Sequence, residues 1–318
     1  EQAHAAGLKM EVIESVNIHD DIKIGSAERD RYIDNYKQTI RNLAGFGVKV
    51  ICYNFMPVFD WMKTDMNYVL PDGSLTMAFE KRGIDKSLED VVKEVLENAN
   101  GFALPGWEPE RLAKVQELFA RYRDVDDTRL RENLFYFLRE VIPVCEEVGV
   151  KMAIHPDDPP RALLGLPRIL STAADAQWLL DAAPSPANGL TFCTGSYGVR
   201  EDNDLVAMAR QFAPSIYFTH LRSTRREADP RSFHEAHHLD GDVDMVGVIT
   251  ALVEEERRRE RDGGPRLPLR PDHGHQLLDD QHRKSNPGYS LIGRLKGLAE
   301  LRGVELAVRQ QMKSAAHT

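Results

Sequence analysis

Pro268-Leu269-Arg270-Pro271-Asp272-His273-Gly274-His275 is a short apolar run that ends abruptly in a carboxylate and two imidazoles. A buried strand that delivers Asp and His at its tip supplies what a metal-assisted reaction needs, one group to hold an ion and the next to move a proton. Alone, the stretch could equally be a polar loop after a strand. Three further runs close in the same way: Val150-Lys151-Met152-Ala153-Ile154 on His155, Gly189-Leu190-Thr191-Phe192 on Cys193, and Ile216-Tyr217-Phe218-Thr219 on His220. Four apolar runs, each closing on a metal-competent side chain, form a pattern.

Between and before these runs the apolar spacing changes to that of helices. Leu8 to Val16 and Val48 to Phe55 read as earlier strands, with a helix from Arg29 to Gly45 between them. Helices are expected over Leu130–Gly149, Ala173–Ala183, Asp204–Phe212, Met245–Arg261 and from Leu291 onward. Strand and helix in alternation imply parallel pairing with right-handed crossovers. Six strands read clearly. A (β/α)8 TIM barrel follows if one further strand is short or irregular and the first lies upstream of Glu1. Its chemistry then sits at the C-terminal ends of the strands, where all four candidate ligands fall.

One crossover is far longer than such units need. Residues 60–127 read as a largely helical insertion within a single barrel domain spanning 1–318. The segment opens on a hairpin about Pro71-Asp72-Gly73 and continues with helices near Leu88–Ala99 and Pro109–Arg123. It would serve as a lid or an oligomer contact, or else as solvated decoration. Ser232 to Asp244 carries His234, His237 and His238, but shows no strand and little helical spacing. Those histidines read as loop groups that support a site from behind. The end of the 245–261 helix, Glu254 to Arg261, reads as a solvated, salt-bridged face.

Composition limits the partners. A formal net charge of -9 argues against nucleic acid, whose phosphates need a basic surface, though a few arginines and a cation can still draw an anionic small molecule into a pocket. The three cysteines, Cys52, Cys145 and Cys193, are widely spaced and form no CxxC pair, as expected of reduced thiols in the cytoplasm. Cys52 lies mid-strand and Cys145 on a helix's apolar face, so both read as core. No run suits a membrane span.

Two imidazoles, a thiolate and a carboxylate make a donor set of intermediate softness, and strand ends leave room for water or substrate. Mn²⁺ or Fe²⁺ suits such a site when substrate oxygens must also bind. Arg222 directly follows a candidate ligand and is the first choice to grip an anionic group, with Arg200 second. Asp157, Asn54 and His19 follow strands and could bind substrate hydroxyls, or could equally cap their own loops.

Cys52-Tyr53-Asn54-Phe55-Met56-Pro57, Ala153-Ile154-His155-Pro156-Asp157-Asp158-Pro159-Pro160, Leu190-Thr191-Phe192-Cys193-Thr194-Gly195-Ser196, His220-Leu221-Arg222 and Arg270-Pro271-Asp272-His273-Gly274-His275 together resemble the bacterial mannonate dehydratases. The likeness extends over essentially the whole chain. It implies a xylose-isomerase-like barrel that removes water from D-mannonate to give 2-dehydro-3-deoxy-D-gluconate in hexuronate breakdown, using Mn²⁺ or Fe²⁺. By this resemblance His155, Cys193, His220 and Asp272 match the family's metal ligands, and His273 and Tyr289 its acid/base pair. The partner would be a small sugar acid, handled by a cytoplasmic homo-oligomer with no nucleic acid or membrane contact. The other readings are an aldose–ketose isomerase on the same barrel, which a thiolate ligand suits poorly, and a non-catalytic sugar-binding or metal-storage protein.

Overall fold

A computed structural model describes residues 1–98 and 114–315 of the chain. Its strands, in chain order, are β1 (Val12–Glu14), β2 (Val50–Tyr53), β3 (Asp65–Val69), β4 (Leu75–Phe79), β5 (Lys151–Ile154), β6 (Asn188–Cys193), β7 (Ile216–His220), β8 (Ser223–Arg226), β9 (Phe233–Ala236) and β10 (Leu269–Arg270). The six parallel strands follow the order β1-β2-β5-β6-β7-β10, and they are the six legible in the sequence. The other four form an antiparallel sheet of order β3-β4-β9-β8. Among the described residues, no helix is long and apolar enough to cross a membrane.

The described residues divide into two compact units. The first holds residues 1–61, 114–192 and 215–218. Its parallel pairing is in register, with Ile51 opposite Met152 and Ile154 opposite Leu190. Val50, Cys52, Ala153 and Phe218 form one buried cluster. The helix Asp127–Val148 covers this core. Asp126 caps it by accepting from the Arg129 amide at 2.8 Å, and Gly149 ends it at φ +70, a left-handed turn that suits glycine. Leu130, Leu134, Phe137, Leu138, Val141 and Cys145 lie buried along one stripe. Phe137 meets the rings of Tyr36, Tyr53 and Phe55. The helix Ala173–Ala182 starts at a capping box of Thr172 and Asp175.

The second unit holds residues 62–98, 193–214 and 219–315. Here β10 pairs with the end of β7, Arg270 opposite His220. The expected hairpin forms as β3 and β4, turned through Gly73 at φ +82. The expected helix over Leu88–Ala99 runs Leu88–Asn98. Of the one over Pro109–Arg123, Val115–Arg121 is helical and belongs to the first unit, and its first residues lie outside the described ones.

Two readings of the sequence need correction. The segment read as structureless contains β9, which pairs with both β4 and β8. Its alternation was hidden because Glu235, a charged residue, occupies an inward position. The end of the Met245–Arg261 helix is also not wholly solvated: Glu255 and Arg259 are buried and paired at 2.6 Å, with Arg259 donating to the Ala213 carbonyl.

Candidate active site

The second unit gathers most of the residues singled out from the sequence. Cys193 ends β6, and His220 ends β7. The Cys193 sulfur and a ring nitrogen of His220 lie within 4.8 Å of each other. Thr194, directly after Cys193, ties the two strand ends together by donating to the carbonyls of His220 at 3.1 Å and Arg222 at 2.6 Å. Asp272 follows β10 with φ +64, a left-handed backbone tolerated by aspartate better than by most residues and common where a site fixes a side chain. Its Oδ2 lies 3.5 Å from His220 Nδ1.

Arg222 ties this group together. Its side chain is 2% exposed. Nε donates to Asp272 Oδ2 at 3.1 Å, one terminal nitrogen to Glu235 at 2.5 Å and the other to the Ser196 hydroxyl at 2.9 Å. Ser196 in turn donates to the Cys193 sulfur at 3.3 Å. One guanidinium therefore braces Asp272 directly and Cys193 through a hydroxyl. It leaves no room for a side chain at Gly195, where a Cβ would lie 2.3 Å from Arg222 Cγ. The fork thus faces three internal acceptors.

Burial works to raise the Asp272 carboxyl, but His220, His273, Arg270 and Arg222 hold it well below the ordinary carboxylate range. Glu235 is similar. Burial pushes its carboxyl up, while Arg222, His273 and Lys63 outweigh that and bring it to about 2. Both groups are anions at neutral pH.

His273 is 7% exposed at its side chain, with Nδ1 3.3 Å from Glu235 Oε1 and Nε2 3.8 Å from Asp272 Oδ2. The Tyr289 ring stands edge-on to it, the centroids 5.3 Å apart. The loop that carries Tyr289 is tied back: the Gly274 amide donates to the Gly288 carbonyl at 2.8 Å, and Ser290 donates to the His275 carbonyl at 2.5 Å.

The first unit holds the other candidates. His155 follows β5 and donates from Nδ1 to the Pro156 carbonyl at 2.7 Å, which places the lone pair on Nε2. It follows directly on Ile154, which pairs with Leu190 of β6. Three other candidates in this unit make capping hydrogen bonds within their own loops, one of the two roles open to them from sequence. His19 Nδ1 accepts from the Asp21 amide at 3.2 Å, with its ring stacked on Tyr32. Asn54 accepts from the Met56 amide at 3.1 Å. Buried Asp157 accepts from the Leu170 amide at 2.7 Å and the Ser171 hydroxyl at 3.0 Å. In the second unit, Arg200 pairs with Asp202 two residues on, at 2.9 Å through Nε.

Sequence reading missed Glu235, Ser196 and Lys63. Lys63 is wholly buried, 3.7 Å from Glu235. A signal for Glu235 was present in Phe233-His234-Glu235-Ala236, where alternate residues can face one side if the segment is a strand. Nothing in sequence marked Lys63.

The sequence profile of the D-mannonate dehydratase (UxuA) family matches residues 1–315. The mannonate dehydratase of Chromohalobacter salexigens is 57% identical over 335 residues, covering 96% of this chain and 86% of that protein. The crystal structure of mannonate dehydratase from Streptococcus suis serotype 2 superposes with a TM-score of 0.81 at 36% identity, over 98% of this chain and 80% of that one. At the level of fold alone, a xylose isomerase-like TIM barrel protein from Mycobacterium smegmatis, solved in complex with magnesium, matches with a TM-score of 0.50 at 14% identity over 96% of this chain and 76% of that one. The chain is thus a xylose-isomerase-like α/β barrel protein and belongs to the D-mannonate dehydratase family of hydro-lyases.

Proposed function

We propose that the protein dehydrates D-mannonate to 2-dehydro-3-deoxy-D-gluconate, with His155, Cys193, His220 and Asp272 as the ligands of a divalent Mn²⁺ or Fe²⁺ ion. The observation that carries this reading is the buried arginine that braces two of those ligands, Asp272 directly and Cys193 through Ser196, while a histidine and a tyrosine stand beside them. The donor chemistry fits: sulfur, imidazole nitrogen and a carboxylate held ionised are all ligand types for such an ion. Such an ion supplies positive charge next to the substrate carboxylate, where negative charge develops.

The chain's own residues supply the proton steps. Removing the proton from the carbon beside the carboxylate needs a base, and His273 is the candidate nearest the proposed ligands. Loss of hydroxyl from the next carbon needs an acid, and Tyr289 packs against His273 where it can donate. The C–H pair flows toward the carboxylate, the adjacent C–O bond breaks, and the leaving oxygen departs as water. The enol left behind takes up a proton to become the 2-keto acid. Within the same reading, the 60–127 segment is a lid or an oligomer contact, and the protein acts as a cytoplasmic homo-oligomer.

Incubation with D-mannonate and Mn²⁺ or Fe²⁺ is expected to yield a 2-keto acid, detected as its hydrazone, and a chelator is expected to stop its formation. Turnover of an aldose to a ketose, with no keto acid from D-mannonate, would favour the isomerase reading instead.

A further inference from the structure

Glu235 is buried at the centre of charges that the proposed ligand set does not use. It lies on β9, 1% exposed, with its neighbours His234 and Ala236 on the opposite face of the strand. One oxygen, Oε1, meets Arg222 at 2.5 Å, His273 Nδ1 at 3.3 Å and Lys63 at 3.7 Å. Desolvating a carboxylate and an ammonium is expensive, and packed apolar residues of the same volume would often stabilise as well. A buried charge cluster at such a place calls for a role in the site.

The geometry supplies that role. Glu235 Oε1 lies nearer to Nδ1, at 3.3 Å, than Asp272 Oδ2 does to Nε2, at 3.8 Å, so the closer negative charge favours the proton on Nδ1 and the lone pair on Nε2. Glu235 is itself held by Arg222, whose fork also engages Asp272 and Ser196. Lys63 closes the far side, its ammonium 5.2 Å from the Phe233 ring centroid. Arg222 and Lys63 restrain the carboxylate on its other sides, which keeps its charge beside Nδ1.

Resting on the dehydratase reading, we propose that Glu235 is the positioning residue of the proton-abstraction step. It keeps the proton of His273 on Nδ1, so that Nε2 takes the proton from the carbon beside the substrate carboxylate, and it balances the imidazolium so formed. The C–H bond breaks, its electron pair stays with the substrate, and the new N–H bond forms on Nε2.

Two measurements test this, and the first needs no turnover. In protein labelled with ¹⁵N-histidine and loaded with diamagnetic Zn²⁺, the His273 signals, assigned by their loss in His273→Asn, are expected to show the Nδ1–H tautomer. An Nε2–H tautomer overturns the proposal. Second, Glu235→Gln is expected to lower kcat by about 10²-fold or more, with KM within about twofold and metal content unchanged, while Glu235→Asp recovers part of the loss. Wild-type kcat in Glu235→Gln, or a loss that follows metal content, overturns it. Wild-type protein that makes no keto acid from D-mannonate would instead sink the dehydratase reading and leave the tautomer result to stand separately.

Discussion

His273→Asn is expected to lower kcat by about 10²–10⁴-fold, the usual worth of a positioned proton transfer, with bound metal retained. Asparagine keeps a polar group near Glu235 but has no nitrogen lone pair to accept a proton. The ring stands 3.3 Å from Glu235 through Nδ1 and edge-on to Tyr289, so removing it opens space without breaking the Arg222 bridges to Asp272 and Ser196. KM should therefore move little, because the loss falls on the transition state rather than on binding. Steady-state keto-acid formation alongside metal analysis checks this. Substantial turnover in the variant would remove His273 from the chemistry.

Arg222→Met is expected to destabilise the fold by about 3–5 kcal/mol, the cost of leaving buried charges without their partner. Methionine fills much of the volume, so the loss reports charge more than packing. Asp272 would lose one of its cations, Glu235 its closest one, and the Ser196 hydroxyl its donor. Denaturant unfolding of metal-free wild type and variant measures the difference. A loss under about 1 kcal/mol would show that Lys63 and Arg270 already suffice for these carboxylates. The sign of the pH dependence follows from the same groups. Glu235 has its folded value lowered to about 2, so its contribution is complete above the ordinary glutamate range and is lost as pH falls from there toward 2. Wild-type stability should fall through that acidic window.

The strands that bear the site were legible because parallel strands of this fold bury both faces and so read as unbroken apolar runs. Cys193 and His220 stand out because each interrupts such a run at its end. Asp272 was legible for the same reason, although β10 is shorter than the sequence suggested and the chain turns left-handed at Asp272 itself. The antiparallel sheet was half legible. Its hairpin carries a Pro-Asp-Gly turn, but β8 and β9 are short and polar, and Arg225, His234 and Glu235 mask the period-2 signal. Pairing between distant segments decides whether such residues form strands, and no local window contains that information. Arg222 illustrates the other limit. Its place next to a ligand was visible, whereas its partners come from 26 residues before it and 50 after it.

The central claim is that Cys193 is a ligand of the catalytic ion together with His155, His220 and Asp272. The most direct test is the absorption spectrum of the Co²⁺-substituted protein, in which a bound thiolate gives a sulfur-to-cobalt charge-transfer band. The account predicts that band at one equivalent of Co²⁺ and its disappearance in Cys193→Ser, with weaker metal retention. Stoichiometric Co²⁺ without the band, or a band unchanged in Cys193→Ser, would contradict it.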